Sequence, residues 1–160
     1  MRARDVAYFF LQNDPELFTN DLVYRNGHRM YEGNARLNKY LHLAQNVHIA
    51  QFGKPLFDDT LYAFSNGGVV IDVYKNYRHL KDTYEKHVVD IPEEERSFLK
   101  KIAASLHDAS VDDLIEISHQ DEEWQAKRNS VSQEMDSMSR VKEYQERYAD
   151  VIKIMGLGLC

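Results

Sequence analysis

Two stretches of this chain concentrate side chains that could do chemistry. The first is "LNKYLHLAQNVHIAQFGKPLFDD", residues 37–59, which sets His42 and His48 in a run of apolar and amide residues. The second is His119-Gln120-Asp121-Glu122-Glu123-Trp124, where an imidazole stands beside three carboxylates. Histidines and acids so close together are the material of metal centres and of general acid–base pairs. Spacing argues against both. His42 and His48 are six residues apart, ~600° of helical rotation, which leaves them ~120° apart around the axis. A helical ligand pair needs a spacing of three or four. In the second stretch, adjacent acids cannot all face one point, and no cysteine or suitably spaced histidine completes a ligand set. Residues 121–123 therefore read as an acidic, solvated edge, with Trp124 turned inward. A metal-dependent or acid–base enzyme using His48, His119 and Asp121 remains the least favoured function. There is no G-x-S-x-G, no phosphate-binding G-x-x-x-x-G-K-[ST] and no dinucleotide-binding G-x-G-x-x-G. The single cysteine, Cys160, has no evident base or positive neighbour to make it a nucleophile.

The elements that must position these residues are mostly helices. Over residues 34–52, Leu37, Leu41, Ala44 and His48 form one stripe, widened by Tyr40 and Val47. Leu43 and Ile49 add apolar atoms on other sides, so this helix should be central. His48 lies on the apolar stripe and reads as a hydrogen-bonded core histidine. His42 shares a more polar stripe with Asn38 and Gln45 and reads as exposed or facing a partner. Gly53 and Pro55 supply the stop. Residues 4–12 read as a first helix, ended by Asn13-Asp14-Pro15, whereas residues 17–30 give no clear pattern.

Further on, Leu61 to Phe64 read as extended and Ser65-Asn66-Gly67-Gly68 as a turn. Val70, Val73, Tyr74 and Tyr77 fit helical spacing better than a strand. Pro92 and the three acids after it open a helix, Ser110 with Asp113 caps the next, which is expected to run on to Trp124, and Ser130-x-x-Gln133 opens a last one. Along that last helix Met138, Val141, Tyr148, Ile152 and Met155 share a face. Methionine and tyrosine suit an adaptable partner surface, although packing on the chain's own core is the commoner fate. The fold class read from these patterns is mainly α: a compact helical domain over residues 1–128, with at most a small β element near residues 61–70, and a C-terminal helical extension over residues 129–160.

Composition narrows the function. The formal charge is −6 over 160 residues, which argues against nucleic acid as the main partner and suits a basic protein. Lys75, Arg78, His79 and Lys81 form the one compact basic cluster, read first as a solvated helix face. One cysteine points to a reducing compartment. No apolar run is long enough to span a bilayer, and the apolar stretch Val6 to Leu11 is short for a signal peptide. The expectation is a cytoplasmic protein.

Three separated blocks carry a family signal: "LNKYLHLAQNVHIAQFGKPLFDD", "LYAFSNGGVVIDVYKNY" and "ASVDDLIEISHQDEEWQ". Together they resemble the Panacea domain family of SocA-like antitoxins and phage-associated GepA-like proteins. Matching positions include Leu37, Lys39, Leu41, Ala44, Gln45, His48, the run Gly53 to Phe57, Gly67, Val69, Val70, Val73, Tyr74, Leu114, Ser118, His119 and Trp124. Three departures stand out: the family's Gly-Pro turn is Gly67-Gly68 here, a Tyr-like position is His42 and a Trp-like position is Val47. The resemblance implies a helical antitoxin, sometimes of prophage origin, that binds and neutralises a toxin usually encoded beside it. In some relatives the domain is an adaptor delivering a partner to an AAA+ protease. Neither role needs catalytic residues, a cofactor or a metal. On this reading His48, His119 and Gln45 are structural polar anchors, and the functional site is a surface. Candidate partner contacts are Tyr62, Phe64, Tyr74 and Tyr77, with Met138, Tyr148 and Ile152 on the last helix. Self-association is left open.

Overall fold

A computed structural model describes residues 1–156; Cys160 lies outside the described residues. The chain is mainly α-helical, and one helix organises the rest. Helix α1 (Ala3–Asn13) comes first, followed by strands β1 (Leu22–Arg25) and β2 (His28–Tyr31), and then the 21-residue α2 (Glu32–Phe52). Strands β3 (Tyr62–Phe64) and β4 (Gly67–Val69) make a second hairpin, followed by α3 (Ile71–Lys75) and α4 (Tyr77–Thr83). The remaining helices are α5 (Glu93–Leu106), α6 (Val111–His119), α7 (Glu122–Lys127), α8 (Val141–Arg147) and α9 (Ala149–Ile154).

Every residue of α2 from Gly33 to Gln51 is buried. Apolar residues on all its sides draw other elements around it, and α1, α5, α6 and α8 pack on it together with both hairpins. Its end is the expected one: Gly53 takes the left-handed conformation (φ 69°) and donates its N–H to Ile49 O. Ser110 and Asp113 form the expected reciprocal capping box on α6.

Three elements differ from the sequence expectation. Residues 22–31 form a β-hairpin, paired Leu22 to Tyr31 through Arg25 to His28. Its turn is Asn26-Gly27, both with positive φ (51° and 79°), the chemistry that two-residue hairpin turns demand. The helix expected to run from Ser110 to Trp124 breaks after His119, because Asp121 turns extended and caps α7 by accepting from Glu123 N–H. The helix expected from Ser130 onward does not start there either. Ser130 Oγ accepts from Gln133 N–H as a capping box would, but Gln133 adopts φ 58°. Its side-chain amide donates to Ala63 O and Arg128 O, and no side-chain oxygen of Gln133 accepts from Ser130 N–H, which bonds Lys127 O. Residues 133–135 then lie along β3, with Ala63 N–H bonded to Gln133 O and Met135 N–H to Leu61 O. The chain resumes helix with a 3-10 turn at Ser137–Arg140 that leads into α8, and Tyr144, Tyr148 and Ile152 join the same core as α1 and α2. Residues 129–156 are thus stitched to β3 and to the shared core.

Candidate functional site

The polar side chains of α2 cannot reach water, so each must find a partner inside the protein. His42, fully buried, accepts at Nδ1 from Gly68 N–H (3.2 Å). That leaves the proton on Nε2, which donates to Asp121 Oδ2 at 2.6 Å. Asn46 donates to the same oxygen (2.8 Å), while Tyr144 Oη–H and Glu123 N–H donate to Oδ1 (2.7 and 2.8 Å). Burial alone would raise the Asp121 pKa, but these hydrogen bonds outweigh it and hold the carboxylate at about 2. One buried carboxylate thereby joins α2, the N-terminus of α7 and α8. Two expectations are corrected by this network. His42 is not an exposed or partner-facing residue, and Asp121 and Glu123 are not a solvated edge: Glu123, 1% exposed, binds Lys127, Arg140 and the Asp136 N–H. Trp124 does turn inward, as its neighbours' pattern required.

On the other side of Gly68 the β3–β4 hairpin lies across α2. Lys39 Nζ donates to Gly68 O, Asn38 Oδ1 accepts from Val70 N–H (3.0 Å), and Trp124 Nε1–H donates to Phe64 O (2.8 Å). Close approach is possible because the strand there has no side chains. A Cβ at Gly68 would sit 2.8 Å from His42 Nδ1, and one at Gly67 would be 3.0 Å from Lys39 Cε. Between the two hairpins and α2 is a cavity of about 210 Å³, lined by Lys39, Met30, Phe64, Val69, Tyr74 and His28 among others. Lys39 is 1% exposed, and burial brings its pKa down to about 7. The signal for it lay in the sequence: a helix apolar on every side buries its polar members too.

The expected polar anchors have the following surroundings. Gln45 Oε1 accepts from Leu56 N–H and Phe57 N–H, and its amide donates to Phe57 O (2.9 Å), pinning the turn after α2. His48 Nδ1 donates to Lys54 O (2.8 Å), and its ring packs on Phe52 and Phe98. Burial lowers the His48 pKa, with the Lys54 carbonyl opposing. His119 stacks on Trp124 (4.0 Å, 10° between planes) and donates from Nε2 to Ser65 O (3.1 Å). The candidate contacts divide. Tyr62, Phe64 and Tyr74 are half-buried and Met138 is exposed. Tyr77 (1% exposed), Tyr148 (4%) and Ile152 (1%) are sealed in the chain's own core, so they offer no free surface: α4 and the last two helices pack home. His48, His119 and Asp121 turn to separate partners, Lys54, Ser65 and His42, and do not converge on one site. The basic cluster is also dispersed, with Lys81 donating to Pro15 O and Arg78 to the Tyr31 hydroxyl.

A hairpin held on a central helix by a tryptophan, a lysine and two glycines defines a helical scaffold of a recognisable family. Residues 37–125 match the family model described as antitoxin SocA-like, Panacea domain. The chain belongs to that family. No curated protein and no solved structure matches it. No helix among the described residues is long and apolar enough to cross a membrane.

Two of the three positions at which the sequence departs from the resemblance touch each other. Gly68, where the resemblance implies a proline, donates its N–H to Nδ1 of His42, where it implies a tyrosine. Proline has no N–H to give and would bring a ring against the imidazole.

Proposed function

We propose that this protein is an antitoxin-like binding module that neutralises a toxin by direct, non-catalytic contact. The observation that carries the reading is the match to the SocA-like family over the segment that builds α2, the β3–β4 hairpin and α7. Phe64 and Tyr74, packed edge to face at 5.9 Å and half-exposed beside Tyr62, supply aromatic surface on a rigid hairpin, the kind of group enriched in interface centres. The net charge of −6 suits a basic partner. The toxin is expected to be encoded beside this chain, and the cytoplasm is the compartment in which the pair would meet.

Co-expression of this chain with the neighbouring gene product, scored by growth and by light scattering on the copurified complex, tests the proposal. Rescue of growth with a stable heteromer is expected, and Tyr74→Ala should weaken both while retaining the fold. Toxicity unrelieved, with two separate species in solution, overturns it. Rescue accompanied by a shortened toxin half-life would instead assign the protease-adaptor mechanism known in the family.

A further inference from the structure

The cavity between the hairpins is lined by a buried lysine amine that no carboxylate among the described residues pairs with. Among the described residues, Lys39 Nζ makes one hydrogen bond, to Gly68 O, and no carboxylate lies within ion-pair distance of it. In a chain with 26 acidic residues, none of the residues lining this cavity is acidic. An ammonium that is 1% exposed, with two N–H bonds unmatched by protein, is a costly arrangement unless something completes it. The walls are apolar and aromatic: Met30, Val69, and the edge-to-face pair Phe64 and Tyr74. The exposed His28 stands at the rim.

We infer that this cavity is a binding site for a carboxylate carried on a short apolar or aromatic stem, with the acid on Lys39 and the stem between Phe64, Tyr74 and Val69. A volume of about 210 Å³ is below the roughly 300–1,000 Å³ of pockets for drug-sized ligands, so the occupant is one small acid or one acidic side chain, not a nucleotide. A carboxylate brought there gains a charge-assisted hydrogen bond in a desolvated setting, and it restores the charged lysine that burial disfavours. The inference does not rest on toxin binding. The group could come from a free acid or from an acidic residue of a bound protein.

Benzoate is the probe, with benzamide as its uncharged analogue, titrated calorimetrically into the full chain at mildly acid pH. Saturable one-to-one binding of benzoate in the millimolar range or tighter is expected, with benzamide at least tenfold weaker. Lys39→Met should lose benzoate binding by at least tenfold. A ¹³Cε-lysine spectrum of the unmutated protein gives the same answer without a variant, since the Lys39 resonance should shift as benzoate saturates. No saturable binding, equal binding of benzamide, or an unshifted Lys39 resonance overturns the inference. Where benzoate binds, its competition with the co-expressed toxin assigns the carboxylate to the toxin, and its indifference to the toxin assigns it to a free acid.

Discussion

Replacing Lys39 by methionine keeps an unbranched side chain one atom shorter, removes its charge, and should change stability in a way that depends on pH. The lysine is 1% exposed, and burial brings its pKa from 10.5 to about 7. Because the folded value lies below the unfolded one, the unfolded chain holds more protons between those two pH values, and wild-type stability rises with pH across them. The penalty is fully present below about pH 7 and gone above 10.5. At ~1.4 kcal/mol per pKa unit it amounts to about 5 kcal/mol at its greatest, about 4 near pH 7 and about 2 near pH 9. The lost bond to Gly68 O offsets about 1 kcal/mol. Lys39→Met should therefore be the more stable protein by about 3 kcal/mol near pH 7, and its advantage should shrink by about 2 kcal/mol near pH 9. Urea unfolding of both proteins at the two pH values, followed by circular dichroism, measures the difference, in which the titration of groups far from the substitution cancels. Parallel pH profiles, or a less stable Lys39→Met near neutrality, would refute the claim that this lysine is an uncompensated buried charge.

Asp121 should behave in the opposite sense. Its folded pKa of about 2 lies below the ordinary 3.8, so it contributes stability above pH 3.8 that is lost as pH falls towards 2, about 2 kcal/mol in all. Asp121→Ala should cost about 3–5 kcal/mol at neutral pH, because it strands His42, Asn46, Tyr144 and the Glu123 N–H together; thermal unfolding against pH checks both, and a loss under about 1 kcal/mol would show that the network is dispensable. Gly68→Pro should destabilise by about 1–3 kcal/mol through the lost N–H to His42 and the contact with its ring. Combined with His42→Tyr, the cost should be smaller than the sum because the two residues touch, and a double-mutant cycle with no coupling energy would contradict that link.

What the sequence made legible follows from how local each signal is. The central helix, its Gly53 end and the Ser110 cap were readable because periodicity and capping act within a few residues. The Asn26-Gly27 turn was equally local, but its strands alternate poorly and Leu22, Tyr24 and His28 are exposed. Asp121 and Gln133 were misread for a different reason. Each sits in a stretch that looks helical by itself, and each is diverted by a distant partner: Asp121 by His42, 79 residues away, and Gln133 by Ala63, 70 residues away. Tertiary hydrogen bonds to a buried group outweigh helix propensity, which amounts to only a few tenths of a kcal/mol per residue. The same logic relocates the interest of the opening histidines. Both are buried and hydrogen-bonded inside the protein, His42 to Asp121 and His48 to Lys54 O. His42 also holds the Gly68 N–H, and the turn so held closes over Lys39, one helical turn earlier on α2. A sequence that keeps a lysine there, places glycines where its carbonyl partner must come close and keeps acids away from the cavity retains a buried positive charge that packing alone does not explain.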